Sequence, residues 1–156
     1  MLKSQTSVES FATYVDTAEP SLRKALIAGF GVEVGRDATA DALVYGWENW
    51  ERVRTMDNPT GYLFRVGQNA ARRTKKRQTL PASAPSQQSD GAWYEPALSP
   101  ALGRLSDRQR VIVALLHAFD FSMTEVAELL GIAKSTVQMH DARAMKKLRR
   151  DLGVQK

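Results

Sequence analysis

The stretch TEVAELLGIAKSTVQMHDARAMKKL, residues 124–148, decides how the C-terminal part of the chain folds. Just before it, Ser122 with Glu125 three residues on forms a capping box ahead of Val126, Leu129 and Leu130, so a helix starts there. Gly131 ends that helix, because glycine enters the left-handed region without a Cβ penalty. Ile132 and Ala133 make a short turn, and a last helix opens at Lys134 or Ser135 and carries Val137, Ala144, Leu148 and Leu152. Ala127 is small where the two helices meet, and Val126, Leu130, Ile132, Val137 and Leu148 can lock their crossing. This is a helix-turn-helix pattern, whose second helix lays its N-terminal half in a DNA major groove. Its outward positions are Ser135, Thr136, Gln138, Met139, Ala142 and Arg143. Glutamine bonds adenine through two contacts, and arginine bonds guanine or a phosphate. Lys146, Lys147, Arg149 and Arg150 lie further along and suit phosphates. The competing reading is an ordinary helical hairpin with a basic exposed side.

Upstream, Ser106 with Gln109 forms another capping box before Val111, Ile112, Leu115, Leu116 and Phe119. Before that, QTLPASAPSQQSDGAWYEPA, residues 78–97, breaks the pattern: three prolines, a glycine and several Ser and Gln leave no sustained apolar period. This reads as a flexible linker, in which Trp93 and Tyr94 are unusual and could dock on a module or a partner. The chain then divides into a helical domain over residues 1–77, the linker over 78–97 and the helix-turn-helix domain over 98–156. The fold class is all-α, two small helical domains joined by a flexible linker.

The N-terminal part reads as four helices. Val8, Phe11, Ala12 and Val15 follow helical spacing behind Ser7 as a cap. Pro20 opens a second helix with Leu22, Ala25, Leu26 and Phe30. A third runs from about Thr39 to Val53, with Leu43, Trp47 and Trp50 on one side. In the turn-rich TMDNPTG, residues 55–61, Asn58 and Pro59 read as the cap and first position of a fourth helix. Its inner face is Leu63, Val66, Gly67 and Ala70, and it ends in RRTKKR, residues 72–77. Trp47, Trp50, Tyr62 and Phe64 are expected to pack, since large aromatics usually supply buried area.

Composition removes several classes of function. Of 156 residues none is cysteine, which excludes disulfides, thiolate metal sites and cysteine nucleophiles. The two histidines, His117 and His140, have no partners at metal-ligand spacing, so neither a metal nor another cofactor is expected. No phosphate-binding glycine loop or catalytic triad stands out, and Asp37 with Asp41 reads as a solvated face, so no catalytic residue is assigned and the chain is not expected to be an enzyme. Apolar runs such as VIVALL, residues 111–116, are far too short to span a bilayer, and the first ten residues lack a secretory stretch. A soluble cytoplasmic protein without a membrane or a small-molecule substrate is expected. The net charge of +5 matters mainly through its placement. Arg72, Arg73, Lys75, Lys76 and Arg77 form one basic cluster, and Arg143, Lys146, Lys147, Arg149 and Arg150 another, which suggests two polyanion-facing surfaces.

With these residues in view, the chain resembles bacterial sigma factors of the sigma-70 family, in the small extracytoplasmic-function group. Two stretches covering about three-fifths of the chain carry the likeness. Residues 37–77, centred on GYLFRVGQN at 61–69, are similar to family region 2, and residues 105–153 are similar to region 4. The resemblance implies a protein that directs core RNA polymerase to promoters and assists DNA melting, gripping one promoter at two places about two helical turns apart. It implies that Gln138, Met139, Ala142 and Arg143 read the −35 duplex, with Lys134, Ser135 and Thr136 near the backbone and Lys146 and Lys147 on phosphates. It implies a −10 recognition loop made of Met56, Asp57, Asn58, Pro59, Thr60 and Gly61, which takes up a base flipped from the stack. Asn69, Arg72 and Arg73 would follow the −10 strand, with Lys75, Lys76 and Arg77 on phosphates.

The family's polymerase-clamp motif reads Glu-Asp-Leu-Val-Gln-Glu. In the matching residues 40–45 Asp41 and Leu43 fit, and the Gln and both Glu positions do not. Asp41, Leu43, Val44 and Trp47 are the expected polymerase contacts, and an anti-sigma factor is an implied further partner. The alternative is a non-sigma helix-turn-helix regulator, a dimer on a two-fold DNA site.

Overall fold

Helix α1, Gln5–Phe30, runs through Pro20 as one rod in the computed structural model, which describes residues 5–78 and 98–154. The two helices expected here are therefore one. The reason lies in the buried stripe: Ala18, Leu22, Ala25, Leu26 and Gly29 recur at helical spacing across the proline, and Pro20 itself is off the stripe and only half-buried. The lost proline N–H costs one helix bond, and packing on both sides outweighs it. Ser7 is not a cap but a buried hydroxyl inside the helix, donating to Glu51 Oε1.

Helix α2, Val32–Glu48, starts earlier than its pattern suggests, directly after Gly31, whose φ of +91° turns the chain back. Val34, Ala38 and Ala42 then pack against α1 and α4. The expected single helix to Val53 is broken at Asn49 (φ −116°), and a short α3, Trp50–Val53, follows. Phe11, Tyr14, Trp47 and Trp50 form one aromatic cluster with centroid spacings of 5.0–5.4 Å about Trp50 and Phe11. Trp50 is 4% exposed, and its buried indole Nε1 has no acceptor. Helix α4, Pro59–Gln78, begins where Asn58 and Pro59 place it, and Asn58 Oδ1 accepts the Gly61 N–H at 2.9 Å. Leu63, Phe64, Gly67 and Ala70 are buried on its inner face.

Past α4, the rest of the expected linker, with Trp93 and Tyr94, lies outside the described residues. Helices α5, Leu98–Gly103, and α6, Asp107–Val113, follow. The Ser106–Gln109 box forms in both directions, at 3.2 and 3.1 Å. A π-helical turn, Ala114–Ala118, extends α6. Helix α7, Met123–Leu130, is capped by Ser122 Oγ on the Glu125 N–H, and Gly131 ends it at φ +67°, ψ +37°. Helix α8, Lys134–Asp151, completes the chain, and every regular element among the described residues is helical.

Helix α1 packs on α6 and the π turn, and α4 packs on α7. As a result one apolar cluster joins Leu22, Leu26, Phe30 and Leu63 to Ile112, Leu115, Val126 and Val137. Each fully buried aliphatic side chain contributes about 1.5–3 kcal/mol. A smaller cluster of Ala101, Leu105, Val113, Ala144 and Leu148 holds α5, α6 and α8 together.

Candidate nucleic-acid interface

On α8 the residues Val137, Ala144 and Leu148 are buried, spaced seven and four apart, so a single stripe faces inward. The rotation this fixes leaves Lys134, Ser135, Gln138, Met139, Ala142, Arg143 and Lys146 exposed, while Thr136 and Lys147 are half-buried. Lys147 Nζ donates to the Arg104 carbonyl at 2.6 Å, so this ammonium is already tied to the loop before α6. His117 Nε2 lies 2.9 Å from Asp141 Oδ1 and braces α8 against the π turn. The exposed set combines one bidentate donor–acceptor amide, one guanidinium and two ammonium groups along a single face. That chemistry matches base edges and phosphates of a duplex.

His140 sits on the margin of this face. Partial burial holds its imidazole below the ordinary range, and the neighbouring Arg108 and Arg143 add to the effect. The unfolded chain therefore binds the proton first as pH falls through about 6.5, the ordinary value, and stability declines below that point. A phosphate brought beside these three groups would offset the two guanidinium charges and favour the imidazolium. Duplex affinity is expected to strengthen as pH falls from 8 to 6, and His140→Gln is expected to flatten that dependence. Fluorescence anisotropy at constant ionic strength measures it, and an equal slope in both proteins would exclude His140 as the titrating group.

The second basic surface is α4. Asn69, Arg72, Arg73, Lys75, Lys76 and Arg77 are all exposed, and the last three occupy the final turn, where cations meet the negative end of the helix dipole. Arg72 approaches Asp107 at 3.9 Å. The loop leading into α4 is held from below. Tyr14 Oη and Thr60 Oγ1 are 2.9 Å apart, and burial raises the Tyr14 phenol despite that bond. Met56, Asn58, Pro59 and Thr60 are half-buried, Asp57 is exposed and Gly61 is buried against Asn58. One turn into α4, the Tyr45 and Tyr62 hydroxyls share a hydrogen bond at 3.0 Å, which lowers the Tyr62 phenol and raises that of Tyr45. Arg52 donates to Tyr45 Oη at 2.6 Å and lies 5.8 Å from the Tyr62 ring centre.

On α2, Asp41 and Val44 are exposed, Val44 by 55%, while Leu43 and Trp47 are half-buried. Trp47 leans on Phe11 at 5.4 Å, so its ring is part core and part surface. Asp41 and Val44, three apart, form an acidic and apolar point on one side of the helix.

Residues 97–148 match the family model described as Sigma-70, region 4. The fold over 95% of the chain is similar to the sigma factor RpoE in its complex with the anti-sigma factor NepR from Bartonella quintana, at 23% identity, a TM-score of 0.63 and 99% coverage of that chain. It is also similar to CnrH in its complex with the cytosolic domain of CnrY, at 21% identity, a TM-score of 0.58 and 90% coverage of that chain. No curated protein matches the sequence.

The segment that matches region 4 and the loop before α4 are brought into direct contact: Asn58 Nδ2 donates to the Glu128 carbonyl of α7. The exposed face of α8, the basic end of α4 and the Asp41–Val44 point of α2 are carried by separate elements. Two neighbours of the site escaped the sequence reading. Arg108, exposed on α6, adds its charge beside His140 and Arg143 of α8, and Arg65, exposed on α4, reaches toward Gly131 at the end of α7. Arg108 carries no periodic or motif signal, and Arg65, although it lies within GYLFRVGQN, gives no sign in the sequence of its approach to α7; only the packing of helices distant in sequence reveals both placements. No helix among the described residues is long and apolar enough to cross a membrane, and no metal-binding cluster of acidic, His or Cys side chains occurs among them.

Proposed function

We propose that the chain is a sigma factor of the extracytoplasmic-function group, which brings core RNA polymerase to promoters and assists their melting. One observation carries this reading: region 4 over residues 97–148 is joined to an N-terminal helical body in a fold similar, over 95% of the chain, to a sigma factor. Gln138, Met139, Ala142 and Arg143 read the −35 duplex, with Lys134, Ser135, Thr136, Lys146 and Lys147 along its backbone. The loop from Met56 to Gly61 reads the −10 element, followed by Asn69, Arg72 and Arg73 on the strand and by Lys75, Lys76 and Arg77 on phosphates. Asp41, Leu43, Val44 and Trp47 meet the polymerase. The chain itself performs no chemistry, and it works in the cytoplasm where the polymerase is. An anti-sigma factor is a further partner, a reading supported by the complexes in which RpoE and CnrH were solved.

Purified chain immobilised on beads is expected to retain core RNA polymerase from solution at low salt. Absence of retention would count against the reading. Asn58→Ala is expected to change the preference among −10 sequences far more than the affinity for −35 duplex. Loss of the α4 cap costs about 0.5–2 kcal/mol of stability, so circular dichroism should accompany the assay. A loss confined to duplex affinity would refute the loop assignment.

A further inference from the structure

We infer that His117 and Asp141 are positioning residues for −35 reading: the hydrogen bond between them sets the roll of α8 in the major groove, so two side chains that touch no base help choose the sequence that Gln138 and Arg143 accept. The inference rests on the sigma reading for what α8 meets, and on the geometry around Asp141 for the positioning.

Asp141 stands where the pattern of α8 calls for an apolar side chain. It lies four residues after Val137 and three before Ala144, both buried, so it belongs to the inward stripe and not to the exposed face. Its side chain is only 15% exposed. A carboxylate drawn that far from water needs a donor. The donor is His117 Nε2, 2.9 Å from Asp141 Oδ1, and His117 is the one side chain bonded to Asp141 among the described residues. A carboxylate oxygen accepts, so the imidazole holds a proton on Nε2 here. His117 is exposed, yet its backbone is fixed. The Phe119 N–H closes the π turn on the Ala114 carbonyl at 3.0 Å, the Phe121 N–H reaches the Leu115 carbonyl at 2.9 Å, and Leu115 is fully buried. Wide helical turns of this kind recur at functional sites.

One turn along, Val113 shares a small apolar cluster with Ala144 and Leu148. Such contact holds the helix in place without fixing its roll, because apolar burial has no preferred angle. A hydrogen bond does have one. Outward side chains sit about 5–6 Å from the helix axis, so a roll of about 10° moves them by about 1 Å. N–H···O contacts span only about 2.7–3.2 Å, so that displacement breaks a two-contact fit between a base edge and the exposed Gln138 or Arg143. A phosphate contact through Lys146 tolerates it, because an ammonium on a flexible four-carbon stem meets its partner as a point charge. The pair therefore acts on sequence preference and leaves general duplex affinity almost unchanged.

The test uses the full chain with core RNA polymerase, a duplex selected by the two from a random pool, single-base variants of that duplex, and a scrambled duplex. Asp141→Leu completes the apolar stripe, so its urea midpoint is expected to be no lower than that of the unmodified chain. Its preference for the selected duplex over the single-base variants is nevertheless expected to fall about tenfold, with affinity for the scrambled duplex unchanged. His117→Ala, which leaves the carboxylate without its donor, is expected to lose the same preference. His117→Gln places an N–H near the position of Nε2 and is expected to keep it. An unchanged ranking in either Asp141→Leu or His117→Ala overturns the inference, as does an equal loss of affinity for all duplexes. A loss in His117→Gln as large as in His117→Ala overturns it too. Failure of the unmodified chain to select any duplex counts against the sigma reading instead. Residual dipolar couplings of the α8 amides, which read the orientation of that helix in the free chain, then decide the positioning. They are expected to change in Asp141→Leu and His117→Ala and not in His117→Gln, and unchanged couplings in the first two overturn it.

Discussion

Arg143→Ala is expected to weaken binding of region 4 to its −35 duplex by about 1–3 kcal/mol and to relax preference at a single base pair. Arg143 is exposed on the face of α8 opposite the buried stripe of Val137, Ala144 and Leu148. Its backbone is therefore fixed by packing while its guanidinium is free to meet a base edge. A bidentate contact to guanine O6 and N7 carries discrimination, whereas a phosphate contact carries none. The two are separable by salt. Lys146→Ala, one turn on, is expected to weaken all sequences about equally and to lower the salt slope by about 1. Arg143→Ala should change the ranking of duplexes. A selected-duplex competition measures both, and an unchanged ranking with Arg143→Ala would remove that residue from the reading set.

The largest expected effect on stability comes from Leu22→Ala, at about 2–5 kcal/mol. Leu22 is completely buried at the middle of α1, within the cluster that joins α1, α2 and α4 to α6 and α7. Removing its isobutyl group loses the transfer term and leaves a cavity that helices on several sides cannot easily collapse. Urea unfolding is expected to show a lower midpoint with an unchanged m value. Ala12→Gly, at an exposed position of the same helix, is expected to cost only about 1 kcal/mol through propensity. Equal losses at the two positions would contradict the placement of the core.

Local punctuation made much of this fold readable in the sequence. Ser106 with Gln109, Asn58 with Pro59, and Gly131 mark helix ends in the structure, because each satisfies a terminal backbone group or a φ requirement within a few residues. Val137, Ala144 and Leu148 identified the inner stripe of α8, and so the outward set opposite it, because a single helix carries both. Pro20 misled for a physical reason. A proline is as compatible with a first turn as with a tolerated interior position, and only the stripe continuing through Leu22 and Leu26 decides between them. The break at Asn49 was equally hidden, since Trp47 and Trp50 keep helical spacing across it while packing into one aromatic cluster.

Contacts between the halves had no sequence signature at all. Arg110 meets Gly29 across 81 residues, and Asn58 meets Glu128 across 70. Apolar periodicity shows that a face is buried without naming what buries it. For the same reason Val111 reads only as a core position of its own helix, and the places of Arg108 beside His140 and of Arg65 beside Gly131 have no sign in the sequence.

The most direct test is transcription reconstituted from purified chain and core RNA polymerase on a template bearing a duplex selected by the two together. The account predicts a defined run-off transcript that core polymerase alone does not make, with one copy of the chain per initiation complex. A chain that forms a two-fold dimer, shifts a palindromic duplex without polymerase and leaves transcript start sites unchanged would contradict it.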